Sequence, residues 1–177
     1  KSINELKKEL RKNKNIIFAG PSYSKIKTKK KIRFVKKINA ACMLCDVKKL
    51  KKICFFDEDF FLYWEDIYLM DKINKSKYKM VLVTNAKAEH ISSQSSENNI
   101  KTKFIRDLNF MYGELVYDYK LNKSRIIKTI RKLTQNVFIF FFNILIFKLK
   151  SALENLAKIL GIFKYIKFLS IKTFNIF

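Results

Sequence analysis

The chain is poor in residues that shape turns, with three glycines and one proline among 177 residues. An α/β enzyme normally uses glycines in its turns, so this scarcity is unusual for that class. Histidine occurs once, at His90, and a single imidazole cannot hold a divalent cation alone. The sequence also lacks an initiator methionine and a signal peptide, so we expect part of the protein to precede residue 1.

Cysteine is scarce too, with three residues in the chain. An odd number without a secretory signal argues for reduced thiols in a cytosolic setting. Cys42 and Cys45 have the spacing of zinc ligands, but no second pair accompanies them. The alternative is that both lie on a buried strand, where a free cysteine behaves as a small hydrophobic residue.

Acidic residues are few, and the formal net charge is +23. Residues 1–54 carry 18 basic and 3 acidic side chains, residues 55–119 carry 8 and 11, and residues 120–177 carry 12 and 1. Such a balance indicates a polyanionic partner. Lysine outnumbers arginine 33 to 5, and arginine is the residue that reads base edges. We therefore consider nucleic acid unlikely and an anionic membrane surface the better candidate.

Periodicity divides the chain into an α/β part and a helical part, which we assign to residues 1–100 and 101–177. Helices are predicted at 2–13, 47–53 and 65–74, and strands at 40–44 and 79–84. Residues 16–18 form a short apolar run. We expect Gly20-Pro21 to form a turn and residues 25–37 to form an exposed loop or edge.

The C-terminal part contains no apolar run long enough to span a bilayer. Residues 137–147 are apolar except for Asn143, and eleven residues fall short of the roughly 20 required. Residues 150–166 predict a helix with one apolar arc backed by lysines, which suits a membrane interface. The arc consists of Leu153, Leu156, Ile159, Leu160, Phe163 and Ile166. The alternative is a helical appendage packed on another part of the protein.

One segment combines acidic and aromatic residues. Residues 57–71 contain six acids and no base, interleaved with Phe60, Phe61, Tyr63 and Trp64. Carboxylates bind hydroxyls and cations, and aromatic faces cover sugar rings, so the segment suits a sugar or metal site. The alternative is an acidic helix start beside a core strand.

The order of these residues resembles a known family. Residues 39–96 are similar to the C-terminal half of the catalytic domain of family 2 glycosyltransferases, particularly the rhamnosyltransferase-like members. The matching elements are Ala40-Ala41-Cys42-Met43-Leu44, then Phe56-Asp57-Glu58-Asp59-Phe60-Phe61-Leu62-Tyr63-Trp64-Glu65-Asp66, then the strand at 78–83, and finally Ala86-Lys87-Ala88-Glu89-His90 with Ser95.

The resemblance implies a role for several residues. Asp66 would be the catalytic base, which deprotonates the acceptor hydroxyl, and Glu65 would bind the acceptor. Tyr63 and Trp64 would line the cleft at whose mouth Asp66 lies, and Ala41 and Cys42 would contact the substrate. These expectations also include His90 as a ligand of a divalent metal, Mg²⁺ or Mn²⁺. The other ligands would come from an Asp-x-Asp motif outside this chain.

The resemblance also implies a fold and partners. We expect an α/β chain, the C-terminal part of a nucleotide-diphospho-sugar transferase (GT-A-like) fold followed by a helical basic tail. It would act in an inverting, metal-dependent glycosyltransferase with a nucleotide-sugar donor and a glycan or lipid-linked acceptor. The location would be cytoplasmic, peripheral at the inner face of a membrane.

The chain departs from the family pattern at three positions. Tyr68 replaces an acid, Lys72 replaces an arginine, and Ala40 stands where glycine is common. Two alternatives follow. One is a non-catalytic basic module associated with a membrane or nucleic acid, and the other is an inactive remnant of the transferase fold.

Overall fold

A computed structural model describes residues 2–22, 31–53, 55–89, 99–123 and 126–174. The chain divides into two compact units. The first consists of Lys1–Asp57 and Asp66–Ser92, and the second of Glu58–Glu65 and Ser93–Phe177. The first unit combines helices with a sheet, which confirms the α/β class, and the second is built from long helices.

Within the described residues, the first unit contains a mixed sheet of four strands and three helices. In chain order these are α1 (Ser2–Lys12), β1 (Ile16–Ser22), β2 (Ile32–Val35), β3 (Leu44–Cys45), α2 (Val47–Lys51), α3 (Glu65–Asn74) and β4 (Lys79–Lys87). The strand order is β2-β4-β1-β3. Strands β1 and β4 are parallel, while β2 and β3 pair antiparallel with their neighbours.

Both faces of this sheet are covered, so β1 is buried at all seven positions. Helix α1 packs Leu6 and Leu10 on one face, against residues that include Ile16 and Val81. The opposite face packs on α2 and α3 through a core of Ile17, Phe18, Ile38, Leu50, Leu69, Met70, Ile73, Tyr78 and Met80. The register between β1 and β4 shifts between Ile16 and Phe18, and the consecutive residues Ile17 and Phe18 join the same core instead of facing opposite sides.

Two local predictions are wrong. Strand β1 runs through Gly20 and Pro21 instead of ending there, with Pro21 opposite Val83 of β4. The missing N–H of Pro21 is tolerated because β3 pairs only with Phe18 and Ala19, further back along β1. Residues 40–44 are not a buried strand: residues 40–42 form an exposed turn, and β3 is confined to Leu44–Cys45.

As far as the structure describes it, the second unit contains three long helices and the segment Glu58–Glu65. The helices are α4 (Ile100–Lys120), α5 (Ile126–Leu145) and α6 (Leu149–Phe174). Helix α6 packs against both α4 and α5. Gly161 of α6 lies so close to the carbonyl oxygen of Leu108 that a β-carbon there would overlap it. The helical character predicted from residue 101 onward is confirmed for the described residues.

The apolar arc predicted on α6 is divided by the packing. Ile159 is buried, whereas Leu160 and Phe163 are exposed. The buried face of α6, which contacts two helices, combines small residues with larger ones. It consists of Ala152, Asn155, Ala157, Ile159, Gly161, Ile162 and Tyr165. Across the described ranges, no helix combines the length and apolarity needed to cross a membrane.

Candidate functional site

Asp66 is the second residue of α3, whose observed bounds match the predicted 65–74. The half-buried carboxylate accepts a hydrogen bond of 2.8 Å at Oδ1 from the backbone N–H of Ile67. Negative charge is favoured at the first turn of a helix, where backbone N–H groups lack partners. Among the described residues, no lysine or arginine lies within ion-pairing distance of Asp66. The carboxylate is therefore held in place without a cation that would neutralise it.

The residues immediately before α3 have strained backbones. Tyr63 and Trp64 have φ values of 67° and 71°, in the left-handed region that bulky residues rarely occupy. Two successive residues of this kind persist only where surrounding contacts hold them.

Helix α4 supplies these contacts. The Trp64 Nε1–H donates a hydrogen bond of 3.1 Å to the Phe110 carbonyl oxygen, and Arg106 Nε donates one of 2.7 Å to the Tyr63 hydroxyl. The Trp64 ring packs on the rings of Phe110 and Tyr117, with centroids 5.5 Å and 5.1 Å away. The aromatic pair is thus fixed on α4, within the second unit.

The acids of the 57–71 segment do not form one cluster. Asp57 pairs with Lys72 at 3.9 Å, within the first unit. Asp59 pairs with Lys120 at 2.6 Å and with Lys172 at 3.2 Å, within the second. Burial acts to raise the pKa of Asp59, but the hydrogen bonds and charges of both lysines outweigh it and lower that pKa. These carboxylates are neutralised structural groups, in contrast to Asp66.

Ala41 and Cys42 lie in the exposed turn between β2 and β3. The side chain of Asn39 organises this turn, accepting a hydrogen bond of 2.9 Å from the Ala41 N–H. The Cys42 side chain is exposed and that of Cys45 is half-buried, so the prediction that both lie on a buried strand is wrong. Their proposed substrate contacts remain a prediction.

His90 lies outside the described residues. Within the described part of the chain, no three His, Cys, Asp or Glu side chains converge in a way that could hold a metal ion. Asp57 and Asp59, which match Asp-x-Asp literally, are paired with lysines instead. The described residues therefore do not fit a divalent metal site on their own.

Sequence reasoning missed a polar depression beside Tyr63. It is lined by Tyr63, Lys103, Arg106, Asp107 and Phe110. Oδ2 of Asp107 is buried without a hydrogen-bond partner in the described structure, and burial is the main cause that raises the pKa of this carboxyl. The one available signal was Arg106, since arginine is rare in this chain and forks onto oxygen acceptors.

Comparison with known proteins adds no relative. No family model matches the chain, and neither curated proteins nor solved structures give a match.

Proposed function

We propose that this chain belongs to a sugar-transferring enzyme in which Asp66 is the base that deprotonates the acceptor hydroxyl. The observation that carries the proposal is the state of the Asp66 carboxylate. It is half-buried at the start of α3, fixed at Oδ1 by the Ile67 N–H, and away from the described cations. A base needs an oxygen free to take a proton, and Oδ2 of Asp66 receives no hydrogen bond from the described residues.

The proposed reaction is an inverting transfer. The acceptor hydroxyl loses its proton to Asp66, and its oxygen forms a bond to the anomeric carbon of the donor sugar. The bond from that carbon to the nucleotide diphosphate breaks, and its electron pair leaves on the diphosphate. Asp66 supplies the first of these events by general base catalysis, which is typically worth about 10²–10⁴ in rate.

The other elements of the proposal rest on the sequence resemblance. Residues 1–100 would be the C-terminal part of a nucleotide-diphospho-sugar transferase fold, with Glu65, Tyr63 and Trp64 on the acceptor side and Ala41 and Cys42 on the sugar side. The strained backbones of Tyr63 and Trp64 support a binding role, because such strain concentrates at functional sites. No step runs through a metal. Mg²⁺ or Mn²⁺ remains part of the proposal only through His90 and ligands outside this chain.

The experiment measures sugar transfer by the natural protein that contains these residues, with a panel of nucleotide sugars that includes a nucleotide-linked rhamnose and with lipid-linked and polysaccharide acceptors. Asp66→Asn should lower turnover at least about a hundredfold. Asp66→Glu keeps a carboxylate and should retain part of the activity. Donor binding should change little in both variants.

Glu58→Gln is the matched control, because it removes one exposed negative charge from the same segment. Its activity should stay within about twofold of the unmodified protein, since surface charges away from a reacting group contribute little. Near-normal turnover by Asp66→Asn would refute the assignment of the base. A complete absence of transfer by the unmodified protein with every donor would favour the non-catalytic alternative.

A further inference from the structure

The turn between α5 and α6 places a phenylalanine where helix ends normally place glycine. The Lys148 N–H donates to the carbonyl oxygen of Asn143 at 2.8 Å, and the Phe147 N–H donates to that of Ile144 at 3.0 Å. This is the hydrogen-bond pattern of a Schellman motif, in which the residue after the cap adopts a left-handed backbone. That residue is Phe147, with φ 56° and 88% of its surface exposed.

The end of α4 provides an internal comparison. There the Lys123 N–H donates to the carbonyl oxygen of Asp118 and the Asn122 N–H to that of Tyr119, both at 3.1 Å, and φ of Asn122 is 53°. Asparagine tolerates this conformation, whereas a bulky side chain is strained in it. Packing within the unit does not explain Phe147 either, because the side chain is almost fully exposed.

Phe147 continues an apolar surface that runs along α5. We define the outer face of α5 as Ile127, Ile130, Phe138, Phe141 and Leu145, which recur at helical spacing and are all more than half exposed. Between residues 126 and 145, the residues that α5 buries are Asn136 and Asn143. A soluble helix normally shows the reverse pattern, with apolar residues inside and polar residues outside.

Ion pairs fix this orientation of α5. Lys128 contacts the carboxylates of Asp118 and Glu114, and Lys132 lies 3.0 Å from Glu114. Both acids belong to α4, so the polar side of α5 is turned toward α4. Rotating α5 to hide its phenylalanines would break these pairs, and among the described residues the buried Asp118 would keep only the more distant Lys123.

We propose that the outer face of α5 and the turn at Phe147 bind an anionic lipid bilayer. Charge distinguishes this occupant from a second copy of the chain. Residues 126–174 carry nine basic side chains and one acid, Glu154, which is paired with Lys103. Three of the nine, Lys128, Lys132 and Lys172, are paired with acids outside this range, so the positive charge available to a partner comes from the other six. Two such surfaces would repel each other, whereas an apolar face among bases matches acyl chains beneath negatively charged headgroups.

The binding is interfacial. No described helix is long and apolar enough to span a membrane. Lys148 and Lys150 stand beside Phe147 and are exposed, so their stems can lie along the apolar region while their ammonium groups reach the headgroups.

The test is co-sedimentation of residues 1–177 with neutral phosphatidylcholine vesicles and with vesicles containing 30% phosphatidylserine. Binding should be stronger with phosphatidylserine and should weaken as salt rises. Phe138→Gln with Phe141→Gln should reduce partitioning into the anionic vesicles by about 100-fold or more, since each exposed ring loses its apolar burial. The matched control, Phe34→Gln with Phe55→Gln, removes two exposed phenylalanines of the first unit and should change partitioning into the anionic vesicles little.

Phe147→Asn separates lipid binding from folding, because asparagine already occupies the equivalent left-handed position, Asn122, at the end of α4. The variant should be at least as resistant to denaturant as the parent, yet bind vesicles about tenfold or more weakly. Lys148→Gln with Lys150→Gln should reduce partitioning into anionic vesicles about 25-fold and should change partitioning into neutral vesicles little. The control, Lys7→Gln with Lys8→Gln, changes two exposed positions of α1 and should reduce partitioning into anionic vesicles much less.

Three results would overturn the proposal. The first is failure of the parent chain to bind anionic vesicles, and the second is binding that survives both the Phe138/Phe141 and the Phe147 substitutions. The third is self-association in sedimentation velocity that the same substitutions abolish while vesicle binding is unchanged, which would assign the outer face to a second copy.

Discussion

Trp64 lies against Gly113 at a distance that admits no side chain between them. A β-carbon on Gly113 would be 2.9 Å from Cδ1 of Trp64 and 3.1 Å from the carbonyl oxygen of Tyr63. The glycine therefore allows the strained aromatic pair to approach α4 closely enough for the hydrogen bond from Trp64 to Phe110.

We predict that Gly113→Ala destabilises the protein, although alanine favours helices by about 1 kcal/mol over glycine. The clash with Trp64 and the Tyr63 backbone should outweigh that gain and leave a net loss of about 1–2 kcal/mol. Urea denaturation followed by the fluorescence of Trp64, the only tryptophan, measures it. In a Trp64→Leu background, followed by circular dichroism, the penalty should shrink. A stabilised Gly113→Ala would contradict the close packing.

Gly161→Ala should lower the free energy of unfolding more than Gly113→Ala does. We expect a loss of about 3 kcal/mol, at the upper end of overpacking effects. Its β-carbon would overlap the backbone carbonyl of Leu108, and a backbone inside α4 cannot move away cheaply. Gly20→Ala is the comparison, because its β-carbon would meet a side-chain methyl group, Cγ2 of Ile38, instead of a backbone atom. Thermal denaturation of both variants should show the larger fall in Tm for Gly161→Ala. Equal falls would mean that the α4–α6 contact yields more easily than its geometry implies.

The sequence predicted elements whose signals are local. Helix α3 was predicted at its observed bounds, because its start is marked by the change from an aromatic segment to helical periodicity. The strand at 40–44 was wrong because an apolar run does not reveal that Asn39 organises an exposed turn there. The orientation of α5 could not be predicted from periodicity, since the ion pairs from Lys128 to α4 override the tendency of phenylalanine to be buried.

Two aspartates of the second unit should respond oppositely to pH. The pKa of Asp59 is lowered, so its ion pairs stabilise the fold above the ordinary value of 3.8, and that stability is lost as pH falls through the folded-state pKa. The pKa of Asp107 is raised, mainly by burial, so its ionisation opposes folding above the folded-state pKa.

Asp59→Asn should therefore lower the free energy of unfolding at pH 7, and Asp107→Asn should raise it. Both differences should fade as pH falls toward 3, where the unfolded carboxyl groups are also protonated. Urea denaturation between pH 3 and pH 7 measures both. Destabilisation by Asp107→Asn at pH 7 would mean that the carboxylate has a partner that compensates its burial.

The last prediction compares two lysines that share one acid. Lys128 and Lys123 both pair with the buried Asp118, but Lys128 is the more buried lysine and also contacts Glu114 at 2.9 Å, whereas Lys123 is largely exposed and lies 3.6 Å from Asp118. Lys128→Met should lower the free energy of unfolding by about 2 kcal/mol, because among the described residues it leaves the buried carboxylate of Asp118 with one distant lysine partner. Lys123→Met should cost at most about 1 kcal/mol, as expected of an exposed pair.

The pH dependence supplies a second readout for Lys128. Burial acts to lower its pKa, but the hydrogen bonds and charges of Asp118 and Glu114 outweigh that effect and raise it. A raised lysine pKa gives stability that is fully present below the ordinary value of 10.5 and is lost as pH rises through the folded-state pKa. The parent should therefore lose stability above that pH more steeply than Lys128→Met. Equal losses of stability in the Lys128 and Lys123 variants would show that these ion pairs do not hold α5 to α4. The turn at Phe147 would then be the remaining structural cause of the exposed phenylalanines.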